Sequence, residues 1–380
     1  MSGPVRRKIV YLSGTRADFG LMASTLRLIA QVADLSVAVT GMHLDPVWGH
    51  TIDEIRASGL PVCGEIPIAL GARSAAGMSH GVAACLAGVT DLLARERPDM
   101  LLLLGDRGEM LAGAIAALHL GVVSLHTHGG ERSGTVDEPV RHAISKLAHY
   151  HFAATEESRG RLIRMGELPE RVFVTGAPGL DHLAGQGAAL SAGECRAALG
   201  LPAGQPFVLV LFHPVVQQAC DAATQTGALL RALRQTGLPV LWGEPNADAG
   251  SAGILEALDT IGLPDGSRRT RNLPRALFCA AMKHCAVMVG NSSAGIIEAA
   301  TFGTPVVNVG DRQRLRERNA NVNDATPEPQ AIATALATAL VAGRRPCNNR
   351  YGDGQAGPRI ARLVAELPLS PSVLEKINSY

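Results

Sequence analysis

Short runs of valine, isoleucine and leucine alternate along the chain with longer segments in which alanine and leucine recur at helical spacing. Continuous apolar runs are typical of strands buried on both faces of a parallel sheet, and the longer segments are typical of the helices that cover it. The pattern therefore predicts an α/β fold made of repeated βα units. In the first half the predicted strands are 8–13, 35–40, 100–104, 122–126, 151–154 and 172–175, and the predicted helices include 21–32, 79–97 and 110–120.

The same pattern begins again after a passage rich in glycine, alanine and serine between Gly176 and Gly193, a composition typical of a connection between domains. The predicted strands of the second half are 207–211, 239–242, 286–290 and 305–309, and its predicted helices are 222–236, 253–261, 274–285 and 294–301. We therefore expect two doubly wound, Rossmann-like domains with a cleft between them. They are expected to cover residues 1–182 and 183–355, with a C-terminal helix and tail over 356–380 that packs back on the first domain.

The charges are balanced, with 35 Lys and Arg residues against 34 Asp and Glu residues. Such a chain has no basic field that draws it to nucleic acid or to anionic lipid. The first apolar run is too short for a signal peptide, and no stretch approaches the roughly 20 apolar residues of a spanning helix. The seven cysteines show no C-x-x-C pair or zinc-like spacing, which is typical of a reducing compartment. We therefore expect a cytoplasmic protein whose partner is a small molecule.

Motifs for the common nucleotide cofactors are missing. Residues 13–18 follow the first strand where a dinucleotide-binding domain carries Gly-x-Gly-x-x-Gly, and no Gly-x-x-x-x-Gly-Lys-Ser/Thr segment occurs. We expect neither NAD nor ATP, and no other cofactor.

The segment from Gly290 to Glu298 combines a predicted strand end, a polar turn with Ser292 and Ser293, and a helix start. Backbone N–H groups, the helix dipole and two hydroxyls can converge there on a phosphate or diphosphate. A plain helix cap is the alternative. We favour binding because two serines, two glycines and a following glutamate coincide, and Glu298 is then placed to hold a ribose hydroxyl.

His213 follows the apolar run 207–212, at the carboxyl end of a strand where open α/β sheets bind ligands. A role in the cleft and a purely structural role are equally consistent with this position.

Acidic and basic side chains also follow two predicted strands of the first half. Asp106 and Arg107 follow one of them, and His128 and Glu131 follow the next. Asp106 and Arg107 forming only a local ion pair remains an alternative.

A further acidic residue, Asp137, comes next in the sequence, and Arg141 and His142 lie one helical turn after it. Several proton donors and acceptors are therefore expected in one cleft.

A metal site is a second interpretation of this region, with His126 and His128 as ligands and Glu131 or Asp137 as a third. Both histidines face one way only if the strand continues through them, and the glycines at 129 and 130 indicate that it ends. We rank acid–base chemistry above the metal site and expect no metal.

Taken together, these segments resemble the hydrolysing UDP-N-acetylglucosamine 2-epimerases of sialic-acid-type sugar biosynthesis. The resemblance covers nearly the whole chain and implies a two-domain fold like that of the GT-B glycosyltransferases. The matching elements are Thr15-Arg16-Ala17-Asp18, Gly41-Met42-His43-Leu44, Gly105-Asp106-Arg107, Gly129-Gly130-Glu131, Asp137-Glu138, Arg141-His142-Ala143-Ile144-Ser145-Lys146, Gly176-Ala177-Pro178, Phe212-His213-Pro214, Gly290-Asn291-Ser292-Ser293 and Arg312-Gln313.

The resemblance also implies roles, with uridine and diphosphate held mostly by the C-terminal domain. It assigns the diphosphate to Arg16, His213, Ser292, Ser293 and Arg312, the nucleoside to Asn246 and Glu298, and the sugar to His43. The remaining expected substrate-binding residues are Asp18, Arg107, Arg141 and His142. The expected catalytic residues are Asp106, His128, Glu131, Asp137 and His213.

His128 stands where part of the family carries a catalytic glutamate, and a histidine there resembles the branch that acts on the 4-acetamido-6-deoxy sugar of legionaminic-acid synthesis. A 4-amide and a 6-methyl group are distinguished by shape and a few polar contacts. The expected substrate is UDP-N-acetylglucosamine, and UDP-N,N′-diacetylbacillosamine is the alternative.

The implied reaction is elimination of UDP to a 2-acetamidoglycal, followed by hydration to an N-acetylmannosamine-type sugar. It needs acid–base groups on both faces of C2, and we expect Asp106, Asp137 and His128 to share these roles. A GT-B glycosyltransferase and a non-catalytic nucleotide-sugar sensor are the rival functions, and the acidic residues on the sugar side favour epimerisation. The resemblance further implies a homodimer or homotetramer.

Overall fold

The computed structural model describes residues 6–69, 74–246 and 248–379. Within them the first half of the chain forms one parallel sheet with helices on both faces. Its strands are β1 (Lys8–Ser13), β2 (Asp34–Thr40), β3 (Val62–Ile66), β4 (Met100–Leu104), β5 (Val123–Thr127), β6 (Tyr150–Ala153) and β7 (Val172–Val174). Its helices are α1 (Arg16–Val32), α2 (Ile52–Ala57), α3 (Ala75–Glu96), α4 (Gly108–Leu120), α5 (Asp137–Leu147) and α6 (Glu156–Arg164).

The second half forms another parallel sheet. Its strands are β8 (Val208–Leu211), β9 (Val240–Gly243), β10 (Arg268–Thr270), β11 (Val287–Gly290), β12 (Val306–Val309) and β13 (Val322–Ala325). The helices are α7 (Leu183–Ala188), α8 (Ala192–Ala198), α9 (Ala222–Arg234), α10 (Ser251–Ile261), α11 (Arg275–His284), α12 (Ser293–Ile297), α13 (Pro329–Ala342), α14 (Ala356–Glu366) and α15 (Pro371–Leu374). The predicted α/β class with two Rossmann-like domains is confirmed.

Each sheet reverses its direction of winding at one point. In the first sheet the strand order is β3-β2-β1-β4-β5-β6-β7, so the reversal lies between β1 and β4. In the second sheet the order is β10-β9-β8-β11-β12-β13, and the reversal lies between β8 and β11. Open α/β sheets bind ligands outside the carboxyl ends of the strands at such switch points. The topology therefore predicts where each half contacts a ligand.

Strand β1 shows why the apolar runs are continuous. Ile9 and Tyr11 are fully buried in a core with residues of α1, whereas Val10 and Leu12 are fully buried on the opposite face against α3 and α4. Because helices cover both faces of the sheet, residues 9–13 of β1 are all buried and do not alternate between core and solvent. Each such apolar side chain contributes about 1.5–3 kcal/mol on burial.

Helix α14 leaves the second half and packs against α1 of the first. Ile360 and Val364 of α14 are fully buried in the same core as Ile9. At the start of α14, Asp181 accepts hydrogen bonds from the backbone N–H groups of Ala356, at 2.9 Å, and of Gly357. A carboxylate from a distant segment thus takes the place of a local N-cap.

Replacing Asp181 with alanine is expected to lower the free energy of unfolding by about 2 kcal/mol, because two buried N–H groups lose their acceptor. Asp181→Asn keeps one acceptor oxygen and is expected to cost less. Urea denaturation of the three proteins measures the difference. An alanine variant as stable as the unaltered protein would show that α14 is held by its apolar face alone.

Among the described residues, one helix has the length and apolar composition of a membrane-spanning helix, namely α3 over Ala76–Glu96. Glycines and the polar residues His80, Asp91 and Arg95 interrupt the apolar residues of this helix. Cys85, Val89, Leu92 and Leu93 of this helix lie in the core of the first domain, and the helix packs along α4. These are the contacts of a helix that covers a sheet.

Candidate functional site

Ion pairs connect the segments that follow the strands of the two sheets. They join Arg107 to Asp248, Asp137 to Arg312 and Glu131 to Arg316. Their members follow β4 and β5 in the first sheet and β9 and β12 in the second. The carboxyl ends of both sheets therefore line one cleft, as the switch points predict.

Arg141 organises the acidic side of this cleft. Its side chain is only 1% exposed; Nη2 donates to Asp106, and Nη1 donates to the backbone oxygen of Glu131 at 3.0 Å. Asp106 follows β4 and Arg141 belongs to α5, so the pair ties a strand end to a helix. The Asp106 side chain remains 24% exposed and is open to a ligand, whereas Arg141 lies beneath it.

Arg107 does not pair with Asp106. Its Nε donates to Glu109 at 3.3 Å, and its Nη1 lies 4.0 Å from Asp248 of the second half. Glu109 and Asp248 raise the pKa of Arg107, with Glu109 contributing more. Arg107 is therefore a fixed positive charge at the boundary of the two domains.

His128 and Glu131 form a second acid–base pair. Nδ1 of His128 contacts Oε1 of Glu131, and Arg316 from the second half contacts Oε2. The Glu131 side chain is 3% exposed and the His128 side chain 11%. Burial is the main cause that lowers the pKa of His128, to about 3, so its ring is neutral. With Nδ1–H donated to the carboxylate, Nε2 carries a free lone pair.

Asp137 is the first residue of α5, where the helix dipole favours a carboxylate. Its side chain is 27% exposed, and Nη2 of Arg312 lies 3.5 Å from Oδ2. Asp137 is therefore held beside Arg312 and is partly accessible from the cleft. His142, predicted near it, pairs instead with Glu138 at 3.8 Å.

The histidines at 126 and 128 are not two ligands of one metal. His126 is fully buried, with Nε2 2.7 Å from the backbone oxygen of Gly105 and Nδ1 3.1 Å from Oγ of Ser145. Nε2 thus binds the turn that presents Asp106, and Nδ1 binds helix α5. Within the described ranges no group of three or more His, Cys, Asp or Glu residues is placed to hold a metal ion.

On the nucleotide side, His213 is fixed by two residues. Asn291 accepts from the backbone N–H of His213 and donates to its backbone oxygen, both at 2.8 Å. Nδ1 of His213 accepts the backbone N–H of Asn246 at 3.3 Å. Burial, with the charge of Arg312 as a smaller cause, lowers the pKa of His213 to about 3. The ring is therefore neutral and carries its proton on Nε2, which makes it a hydrogen-bond donor.

Helix α12 begins beside His213 but spans only five residues, so its dipole is small. Oγ of Ser292 accepts the backbone N–H of Ala294 at 3.4 Å, which is the helix cap considered as an alternative from the sequence. Nη1 of Arg312 donates to the backbone oxygen of Asn291 at 3.2 Å. Arg312 thus lies between this turn and Asp137, and Ser293 starts the helix.

Other predicted residues are bound within the protein. The carboxylate of Asp18 accepts from the backbone N–H groups of Gly14 and Thr15, at 3.0 and 2.7 Å, and closes the capping box of α1. His43 is fully buried, with Nε2 2.9 Å from Oγ of Ser13 and Nδ1 2.8 Å from Oγ1 of Thr51. Both lie beneath the turn that follows β1 and support it.

Arg16 and Glu298 each have an ionic partner. Arg16 forms a two-point contact with Glu54, with Nε–Oε2 and Nη2–Oε1 distances of 2.9 and 2.6 Å. Glu298 pairs with Arg275, which also donates to the backbone oxygen of Gly179 at 3.0 Å. The carboxylate of Glu54 therefore orients the guanidinium of Arg16, and the carboxylate of Glu298 orients that of Arg275.

Sequence reasoning did not assign a role to Arg316, Asn291, Glu109 or Asp248. Asn291 stands inside a recognised motif and Glu109 lies two residues after one, so their positions were a usable signal. Arg316 and Asp248 act across the cleft, and nothing in the local sequence marks their partners.

Buried neutral histidines give the protein a predicted sensitivity to acid. Burial lowers the pKa of His149 to about 4, so between pH 6.5 and 4 the unfolded chain binds a proton that the folded protein does not. Folding stability must therefore fall as the pH falls through this range. In His149→Asn, whose oxygen can still accept the backbone N–H of Ser124, the stability lost between pH 7.5 and 5.0 is expected to be about 2 kcal/mol smaller.

Urea denaturation at the two pH values measures this difference. Equal losses for the variant and the unaltered protein would show that His149 is protonated in the folded state.

Comparisons with known proteins identify the family and the fold of this chain. The model of the UDP-N-acetylglucosamine 2-epimerase family matches residues 28–365. A hydrolyzing UDP-N,N′-diacetylbacillosamine 2-epimerase from Legionella pneumophila is 46% identical over 377 residues, which are 98% of this chain and 100% of that protein. A UDP-N-acetylglucosamine 2-epimerase from Neisseria meningitidis is 31% identical and covers 94% of each chain.

The fold comparison leads to the same group. The crystal structure of the Methanocaldococcus jannaschii UDP-GlcNAc 2-epimerase in complex with UDP-GlcNAc and UDP has a TM-score of 0.79 over 94% of this chain and 99% of that one. Its sequence is 18% identical, so the likeness concerns the two-domain, GT-B-like fold. The resemblance inferred from the motifs is confirmed, and the chain belongs to the UDP-N-acetylglucosamine 2-epimerase family.

Proposed function

We propose that this protein is a hydrolysing UDP-sugar 2-epimerase that converts UDP-N,N′-diacetylbacillosamine and water into UDP and 2,4-diacetamido-2,4,6-trideoxymannose. The proposal rests on one observation. A single cleft is lined by acid–base groups on one side and by a hydrogen-bond donor and an arginine on the other. Asp106, Asp137 and the His128–Glu131 pair line one side, and the neutral donor His213 with Arg312 lines the other. A sugar with a diphosphate at C1 places its reacting carbons between them.

The substrate is chosen on relatedness. The Legionella relative, which acts on the diacetylbacillosamine nucleotide, is 46% identical over nearly the full length, and the Neisseria UDP-N-acetylglucosamine relative is 31% identical. The sequence alone had favoured UDP-N-acetylglucosamine as the substrate. It remains the second candidate, supported by the Neisseria relative and by the family that the chain belongs to.

The first step separates C1 from the diphosphate. The C1–O bond breaks, its electron pair leaves with the β-phosphate of UDP, and Nε2–H of His213 and the guanidinium of Arg312 stabilise the developing charge. Both groups are held before the reaction, His213 by Asn246 and Asn291 and Arg312 by the backbone oxygen of Asn291. Such preorganisation avoids rearranging the site as charge develops.

Departure of the diphosphate makes the C2 proton acidic, and a base on the acidic side takes it to form the C1=C2 bond of a 2-acetamidoglycal. Water then adds at C1 and loses its proton to a base, while C2 receives a proton on the opposite face. The candidates for these transfers are Asp106, Asp137 and Nε2 of His128. Arg141 binds both the Asp106 carboxylate and the backbone oxygen of Glu131. It therefore fixes the position of Asp106 relative to Glu131.

A GT-B glycosyltransferase uses a similar diphosphate clamp but transfers the sugar to an acceptor, and a sensor keeps the clamp without turnover. The partly exposed carboxylates of Asp106 and Asp137 favour epimerisation over both. A homodimer or homotetramer and a cytoplasmic location remain predictions from the sequence.

The test is an NMR time course in deuterated water with each nucleotide sugar supplied separately. The proposal expects free UDP together with a manno sugar carrying deuterium at C2, formed faster from UDP-N,N′-diacetylbacillosamine. Preference for UDP-N-acetylglucosamine would replace the substrate and keep the reaction. Release of UDP with retained C2 hydrogen and gluco configuration would show simple hydrolysis, and no turnover of either compound would overturn the proposal.

A further inference from the structure

The two oxygens of Glu131 are divided between the two halves of the chain. Oε1 contacts His128, three residues earlier, and Oε2 contacts Nη1 of Arg316, 185 residues later. The side chains of Glu131 and Arg316 are 3% and 8% exposed, so the contact is shielded from water and weakly screened by salt. A buried carboxylate beside the cleft therefore takes one of its partners from the opposite domain.

Arg316 belongs to a segment that also reaches the nucleotide side. We call residues 310–318, which follow β12, the bridging segment. At its start Arg312 and Gln313 donate to the backbone oxygen of Asn291, at 3.2 and 3.1 Å. Asn291 in turn holds both backbone groups of His213. The bridging segment thus connects the proposed diphosphate contacts with Glu131.

Further contacts fix the end of the bridging segment to both halves of the chain. The backbone N–H of Leu315 lies 3.5 Å from the oxygen of Ser133, and Glu317 accepts from Oγ1 of Thr155. The backbone oxygen of Glu317 accepts from Oη of Tyr351 at 3.1 Å. Arg316 is therefore placed by its neighbours on both sides, and its reach to Glu131 depends on the two domains being together.

We infer that Arg316 is a positioning residue for the proposed reaction, which holds Glu131, and through it the ring of His128, in working geometry only when the two domains meet. This inference rests on the proposed function. As a consequence, the bridging segment connects two processes. One is binding of the diphosphate, and the other is orientation of the His128–Glu131 pair. Arg316 acts through Glu131, whose Oε2 its Nη1 contacts.

Steady-state kinetics with Arg316→Met, Arg316→Lys and the matched control Arg314→Met test this inference. Arg314 lies in the same segment and is exposed, and its replacement removes the same charge. Arg316→Met is expected to lower kcat about 10²-fold, the size of one misplaced acid–base group, with KM and the dissociation constant of UDP changed by less than about threefold. Arg316→Lys, which keeps the charge, is expected to recover part of the loss.

The double variant Glu131→Gln/Arg316→Met separates positioning from a general loss of structure. If Arg316 acts through Glu131, the double variant has the same kcat as Glu131→Gln alone, and losses that multiply would overturn the inference. Thermal midpoints and UDP-binding stoichiometry give the folded fraction of each variant, and kcat is corrected for it. An Arg316→Met variant as active as Arg314→Met also overturns it. No turnover by the unaltered protein instead overturns the proposed function, and this inference with it.

Discussion

Replacing Asp137 with asparagine is expected to lower kcat by about 10²- to 10⁴-fold, the range found for the loss of a general acid or base. Asparagine has the same shape, but it cannot take up the proton that a carboxylate accepts. The side chain is 27% exposed, and Nη2 of Arg312 lies 3.5 Å from its Oδ2. KM is expected to change by less than about threefold, because the amide still fills the site.

The measurement is UDP release under saturating nucleotide sugar, together with the dissociation constant of UDP. Asp311→Asn is the matched control, because this acid is exposed and neighbours Arg312 in sequence. Its activity is expected to equal that of the unaltered protein. If Asp137→Asn weakened UDP binding as much as it slowed turnover, Asp137 would be acting on Arg312 rather than on the sugar.

The second large effect is expected from His213→Asn, with kcat/KM lowered by about 10²- to 10³-fold, as for the loss of one preorganised donor to a developing anion. The asparagine oxygen can still accept the backbone N–H of Asn246, but the Nε2–H donor is lost. UDP is also expected to bind more weakly, because the donor contacts the product as well as the transition state.

The pH dependence gives a further check on His213. Its pKa is lowered to about 3, so the ring is already neutral at pH 5 and gains no charge up to pH 9. The pH profile of kcat/KM in His213→Asn is therefore expected to be lower than that of the unaltered protein but of the same shape. His119→Asn, an exposed change at the end of α4, is the control for substitution alone. Loss of one limb of the profile in His213→Asn would show that His213 works as an acid or base.

The strands that the sequence predicted are mostly those that are buried on both faces. Every predicted strand is present with its ends within one residue of the prediction, because a run such as 100–104 is apolar throughout and is fully covered. The strands β3, β10 and β13 were missed, and each lies at an edge of its sheet. Their exposed residues, including Glu65, Arg268 and Asp324, interrupt the apolar pattern on which the prediction depends.

The site was predictable where its residues follow strands that were themselves predicted. Asp106 and His213 were placed at carboxyl strand ends, and the structure has them there on opposite sides of one cleft. Local motifs did not distinguish a residue in the cleft from one that supports it. Asp18 and His43 satisfy their hydrogen bonds inside the first domain, and only the fold reveals this.

Contacts between the domains could not be predicted from the sequence. The partner of Glu131 is 185 residues away, and an arginine surrounded by other arginines shows no local sign of its role. Such a pairing follows from how the two sheets face each other, a property that periodicity within one element does not encode. The sequence therefore located the candidate acid–base groups, but it did not reveal the contact of Glu131 with Arg316.

The packing of α14 also affects how the protein is made. The core around β1 and α1 contains Ile360 and Val364, which leave the ribosome long after β1 and α1 do. Contacts between residues so far apart in sequence are formed late and slow folding. The first domain is synthesised before α14. Part of its apolar surface therefore stays uncovered until α14 has been synthesised and packs against α1. During translation that surface is open to chaperones and to aggregation, so the order of synthesis and the order of folding are opposed in this chain.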